Sequence, residues 1–206
     1  MIKAICFDYG GVIGGVGAVG ANFTQQACEV LGVDMRTYKD VYFGMNHKIN
    51  TGEIETWREF WRLFVDTIGK PDTYDAIVKL SEDTTKQLDI VDDSMLNLVD
   101  ELHGQGYKTG LLSNATIENG KSMRKLGVDG HFDSFHISAE TKHMKPSPVA
   151  FIQLAESLQV QPSEMIFIDD SEKSLSTAEE VGFVPIRFES RDKLRDELVA
   201  HGVLFA

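Results

Sequence analysis

Several reactive side chains of this sequence fall directly after short apolar runs. Asp8 closes "AICFD", Ser113 and Asn114 follow "TGLL", and Asp169 with Asp170 follow "MIFI". Lys145 comes shortly after "FHIS", in "AETKHMK". Together they are a carboxylate, a hydroxyl with a carboxamide, an ammonium and an adjacent pair of acids. Adjacent carboxylates behind an apolar run repel unless a cation or hydrogen-bond donors stand nearby. Taken singly, a strand-end Asp or Ser is commonly a cap, and a lone lysine is commonly solvated. In a doubly wound sheet, however, ligands bind beyond the carboxyl ends of the strands. If the strands are parallel, all these groups meet at one edge, and their coincidence there marks a site.

The first run leads into "FDYGGVIGGVGAVG", with six glycines from Gly10 to Gly20. This stretch either cradles a pyrophosphate or presents Asp8 as a nucleophile. Gly15, Gly17 and Gly20 spell G-x-G-x-x-G, but the dinucleotide reading demands a strand immediately before Gly15 and a second strand ending on an acid. The strand has already ended at Asp8, and "VDMRTYKDVYF" offers no buried β run. The spacing therefore predicts a turn at Gly10 and Gly11 that exposes Asp8. Gly14 to Gly20 are expected to form a pliable connector in which glycine permits positive φ.

The elements that must position these residues are legible in outline. "IKAICFD", "YKTGLLS", "FHIS", "MIFID" and "VPIRF" are apolar on both faces, as strands of a covered parallel sheet are. Helical patterns with start or stop signals lie between the last four: "IENGKSMRKLG", "PVAFIQLAESLQV" and "SEKSLSTAEEVG". The alternation predicts an α/β, Rossmann-like, doubly wound core. Residues 21–88 differ, with no convincing strand. Trp57, Phe60, Trp61, Phe64, Val65 and Ile68 recur at helical spacing. The expected organisation is a core of residues 1–13 and 89–206, with a helical domain of residues 14–88 inserted.

Composition bounds the partners. A hydrophobic content of 42% with 25% charged residues is that of an ordinary globular chain of 206 residues. A net charge of −12 disfavours nucleic acid and anionic membrane surfaces, both of which need basic patches. The two cysteines, Cys6 and Cys28, have no metal-ligand spacing and suggest a reducing compartment. Asp8 interrupts the N-terminal apolar run, and no stretch reaches the roughly 18 apolar residues of a membrane span, so a cytoplasmic location is expected.

In order and context, "ICFDYGGVI", "GLLSN", "KPSPVAF" and "IFIDDSEKSLSTAEEVGF" resemble the four motifs of the haloacid-dehalogenase-like hydrolase superfamily. The helical insertion resembles the cap of its first cap class, and "GEIETWREFWRLF" looks like a helix of its phosphatase-like members. The resemblance implies a phosphatase for a small phosphorylated metabolite. Asp8 would be the nucleophile that forms an aspartyl-phosphate, and Ser113 a donor to the transferring phosphoryl group. Lys145 would neutralise charge between them, and Asn114 would touch substrate. Mg²⁺ would be held by Asp8, the Gly10 backbone carbonyl and Asp170, with Asp169 as a second acidic ligand or outer-shell partner. Hard oxygen donors suit this cation.

The first motif departs from the family pattern D-x-D-G, because Gly10 occupies the place of the second Asp, the family's general acid and base. Glycine keeps the carbonyl and loses the proton carrier, worth typically 10² to 10⁴ in rate. The expectation is a slow or leaving-group-limited phosphatase, or one whose substrate or cap supplies the proton, His47 being a candidate. Ser174 stands where related phosphatases often carry Asn or Asp. Two alternatives stay open: a phosphate-binding or interaction module that turns nothing over, and a metal-independent 2-haloacid dehalogenase, for which Arg36 would be the early carboxylate-binding arginine.

Overall fold

The computed structural model describes residues 1–15, 17–88 and 90–205, and for 17–21 and 85–88 the backbone alone. All five apolar runs form strands: β1 Ala4–Phe7, β2 Lys108–Ser113, β3 Ser134–Ile137, β4 Met165–Asp169 and β5 Val184–Arg187. They make one parallel sheet in the order β3-β2-β1-β4-β5. The chain winds outward from β1 to β3, then returns to the other side of β1 for β4 and β5. That reversal opens a crevice beyond the end of β1, between its two neighbours.

Strand residues alternate between two faces. Ile5, Phe7, Leu111, Ile166 and Ile168 pack with Met95, Val99 and Leu102 of α5 (Asp93–Gly104) and with Leu194 and Leu198 of α10 (Arg191–Ala200). Ala4, Cys6, Leu112, Met165 and Phe167 pack with Phe151 and Leu154 of α8 (Pro148–Leu158) and Ala178 of α9 (Glu172–Val181). On this face Gly110 lets α8 approach closely. A Cβ there would stand 3.0 Å from both Cys6 Sγ and Leu158 Cδ1. Two short crossings complete the core, α6 (Ile117–Lys125) after β2 and α7 (Ser138–Thr141) after β3.

A third cluster belongs to four helices between β1 and α5: α1 Gly17–Leu31, α2 Met35–Asn50, α3 Trp57–Thr67 and α4 Tyr74–Leu88. Phe60, Trp61, Phe64 and Val65 are buried on one face of α3, against Ala27 and Leu31 of α1, Tyr38 and Ile49 of α2, and Ile77 of α4. Thr56 caps α3 by accepting a hydrogen bond from Glu59 N at 3.1 Å. No helix among the described residues is long and apolar enough to cross a membrane.

The glycine connector departs from expectation. Gly17 to Gly20 belong to α1, because a helix nucleated over "NFTQQACEVL" propagates cheaply backwards through alanine and valine. Val16 lies outside the described residues. The segment before it is fastened: Gly15 N donates to Ile90 O at 3.0 Å and Asp92 N to Ile13 O at 2.9 Å. The path into the helical layer is thus hydrogen-bonded to the path out of it.

Candidate active site

Asp8 follows β1 directly. Its backbone N–H donates to Ile168 O at 2.8 Å, which keeps it in register with the end of β4. Its Oδ1 accepts from Tyr9 N at 2.7 Å and lies 2.8 Å from Lys145 Nζ. Burial pushes the Asp8 carboxyl up to about 6; Lys145 pulls against that rise and Asp169 adds to it. Gly10 and Gly11 do form the turn after Asp8, with Gly11 N bonded to Gly14 O at 2.9 Å. Gly11 has φ +75°, and a Cβ on it would stand 2.8 Å from Asp170 Oδ2. The glycine is required twice there, by conformation and by closeness.

Lys145 arrives from the loop before α8, with its ammonium almost wholly buried. Its Nζ lies 2.6 Å from Asp169 Oδ2 as well as 2.8 Å from Asp8. Asn114 holds the lysine's backbone from both sides: Oδ1 accepts from Lys145 N and Nδ2 donates to Lys145 O, each at 2.7 Å. Asn114 lines the cavity, as a substrate contact should, but its carboxamide is turned onto this backbone. Asp169 is fully buried, and its second oxygen accepts from Ser171 N at 2.8 Å.

Asp170 is exposed at the rim, with its carboxyl raised first by partial burial and then by the charge on Asp169. Carboxylate oxygens of Asp8, Asp169 and Asp170 all lie within 4.8 Å of one another. Ser113, buried at the end of β2, faces the same crevice, and Ser174 reaches it from α9. The sheet therefore gathers Asp8, Gly10, Ser113, Asn114, Lys145 and Asp169 around one cavity of about 420 Å³, with Asp170 beside it.

Two candidates stand elsewhere. His47 is exposed on α2 and does not line the cavity. Arg36 is 91% exposed and sits 3.8 Å from Asp40, so it offers the cavity no carboxylate clamp. Conversely, five lining residues were not marked as site residues by the sequence. Tyr42, Asn50 and Trp57 descend from the helical layer, and Thr116 and Asn119 rise from the start of α6. Of these, only Trp57 and Asn119 fall within the helical patterns of the sequence; Thr116 caps α6, its side chain accepting from Asn119 N. Trp57 joins the two sides, donating from its backbone to Glu118 Oε2 at 2.8 Å and from its indole to Asn119 Oδ1 at 3.3 Å.

Known proteins resemble this chain in sequence and fold. A D-ribitol-5-phosphate phosphatase from Bacteroides thetaiotaomicron is 28% identical over 212 residues, covering 96% of this chain and 97% of that protein. A HAD-like family hydrolase from Porphyromonas gingivalis superposes with a TM-score of 0.73 at 23% identity, covering 98% of each chain. A HAD family enzyme from B. thetaiotaomicron, crystallised with magnesium and inorganic phosphate, superposes at 0.70 with 24% identity, covering 94% of this chain and 99% of that one. Those two likenesses carry the fold. The model of the haloacid dehalogenase-like hydrolases matches residues 2–182, a span that holds every strand-end residue described above, and the chain belongs to that family of hydrolases.

Proposed function

We propose that this hydrolase is a Mg²⁺-dependent phosphatase that moves the phosphoryl group of a small phosphorylated metabolite to Asp8 and then to water. One observation carries the reading: a carboxylate held by Tyr9 N and Lys145, beside two more acids, at the floor of a cavity. Similarity to a phosphatase along nearly the whole chain supports it. In this reading residues 14–88 act as a cap over a core of 1–13 and 89–206, a division supported by their separate hydrophobic cluster.

The donor set fits the cation. Three carboxylates face one ammonium, which leaves excess negative charge in a mostly buried place, and all the available donors are hard oxygens. Asp8, Asp170 and the Gly10 carbonyl would hold Mg²⁺. Asp169, with both oxygens engaged by Lys145 and Ser171, suits the outer shell. When bound, Mg²⁺ supplies charge to offset the phosphoryl oxygens.

The chain's own groups divide the remaining work. Tyr9 N and Lys145 both hold Oδ1 of Asp8, which leaves Oδ2 for the phosphorus. As Oδ2 bonds to phosphorus, the ester P–O bond breaks and its electron pair stays on the leaving oxygen. Ser113 donates to a phosphoryl oxygen, and Lys145 offsets the charge between nucleophile and phosphate. Water then attacks the aspartyl-phosphate, restoring Asp8 and releasing inorganic phosphate. Gly10 carries no acid, so the leaving oxygen draws its proton from water or from the substrate itself.

Gly10 also favours a second reading, a phosphate-binding descendant that turns nothing over. The deciding assay is p-nitrophenyl phosphate hydrolysis with and without Mg²⁺, since this leaving group scarcely needs an acid. Mg²⁺-dependent release that disappears in Asp8→Asn supports the phosphatase. Equal rates in the two proteins would sink it.

A further inference from the structure

The cavity has two unlike halves. Among the described residues its charged lining is Asp8, Lys145 and Asp169, all at the floor. The outer half is neutral, built from Tyr42, Asn50 and Trp57 above and Thr116 and Asn119 below. Lys145 is already held between two carboxylates. The nearest charge to Trp57 on the core side is negative, because Glu118 accepts the Trp57 N–H. Arg58 belongs to a separate cavity behind Trp57 and is paired there with Glu82.

Resting on the phosphatase reading, we infer that this outer half selects a leaving group that is uncharged and hydroxylated, and rejects one bearing a second phosphate or a carboxylate. Asn50 carries both a donor and an acceptor, and Asn119, its Oδ1 engaged by Trp57 and Thr116, keeps its amide N–H groups to donate, which suits the hydroxyls of a polyol or sugar. The rings of Trp57 and Tyr42 line the same half and supply apolar surface for the C–H groups of such a chain. A volume of about 420 Å³ is toward the small end for ligand pockets, in keeping with a short carbon chain plus one phosphoryl group. A second anion in that half would lose its water and find no cation among the described residues that line it, in a protein that already carries −12. Asn119 has a further part: its Oδ1 accepts from the Trp57 indole and from Thr116 Oγ1, so the group that reads the leaving chain also ties the helical layer to the core.

The test uses three phosphate monoesters of one linear polyol length: the neutral polyol, the same chain ending in a carboxylate, and the same chain ending in a second phosphate. Each competes against p-nitrophenyl phosphate turnover by the wild-type protein with Mg²⁺, and inhibition constants are read. The reporter ester is the same throughout, so the missing acid at Gly10 cancels from the comparison. The neutral monoester is expected to compete about tenfold or more better than either charged analogue, the scale set by one unpaired buried charge. Asn50→Lys and, independently, Asn119→Lys should narrow or reverse that ratio. Equal competition by all three esters, or a ratio unmoved in both lysine variants, overturns the inference while leaving the phosphatase intact. Absence of any p-nitrophenyl phosphate turnover instead removes the phosphatase reading, and this inference falls with it.

Discussion

At the residue scale, Gly10 stands where the family resemblance leads one to expect a second acid, and there is room for one. A Cβ placed on Gly10 meets nothing within 4 Å, and the residue has no positive φ that would strain a side chain. Gly10→Asp should therefore fold as the parent does. We expect it to raise kcat by about 10² to 10⁴ on alkyl phosphates and far less on p-nitrophenyl phosphate, so the ratio of the two rates is the quantity to follow. Lys145 gives the opposite case. Its ammonium is buried between Asp8 and Asp169, and Lys145→Met would leave two facing carboxylates without their cation. Urea unfolding should show a loss of about 3–5 kcal/mol, together with loss of turnover.

At the scale of elements, the helix that returns the chain to the core begins on a side-chain cap. Asp92 Oδ1 accepts from Ser94 N at 2.9 Å and from Met95 N at 3.3 Å at the start of α5. The Ser94 hydroxyl, first among its donors, holds the Asp92 carboxyl below the usual range. A depressed carboxyl stabilises the fold above its unfolded-state pKa and loses that contribution as pH falls through the folded value. Asp92→Ala should cost about 1 kcal/mol at neutral pH, and thermal melts of the two proteins should converge in acid. This helix was not among the elements expected from the sequence, although Met95, Leu98, Val99 and Leu102 repeat at helical spacing behind that cap. α10 was likewise not expected, and its signal is weaker. It buries only Leu194 and Leu198 in a charged segment, and Val199 and Ala200 at its end are exposed.

At the scale of the whole molecule, strand order decides which acids meet. β4 lies beside β1 although more than a hundred residues separate them, and only that neighbourhood brings Asp169 and Asp170 to Asp8. A cation bound across these elements binds the folded state alone and stabilises it by mass action. Mg²⁺ is expected to raise the thermal midpoint by several degrees, and Asp170→Asn should abolish most of that shift. A midpoint indifferent to Mg²⁺ in both proteins would count against the metal. This readout does not depend on turnover, so it remains informative even if Gly10 has silenced the chemistry.

The local signals in the sequence determined the five strands, because short runs apolar on both faces, alternating with helical patterns, suit a covered parallel sheet, and they put Asp8, Ser113 and Asp169 at the strand ends. They also marked Lys145 and the glycine turn, whose order along the chain carries the family resemblance. Tertiary structure alone decided the rest. Asn114 has an ordinary place after a strand, and its grip on Lys145 spans 31 residues. Tyr42, Asn50 and Trp57 sit on amphipathic helices whose buried faces were legible, but which neighbouring positions overhang the cavity depends on how the helical layer lies on the sheet. That placement is set by contacts such as Trp57 with Glu118 and Asn119, and by the pairing of Gly15 with Ile90. Periodicity reports which side of an element is buried; it does not report what the other side faces, because that is fixed by pairings between segments far apart in the chain.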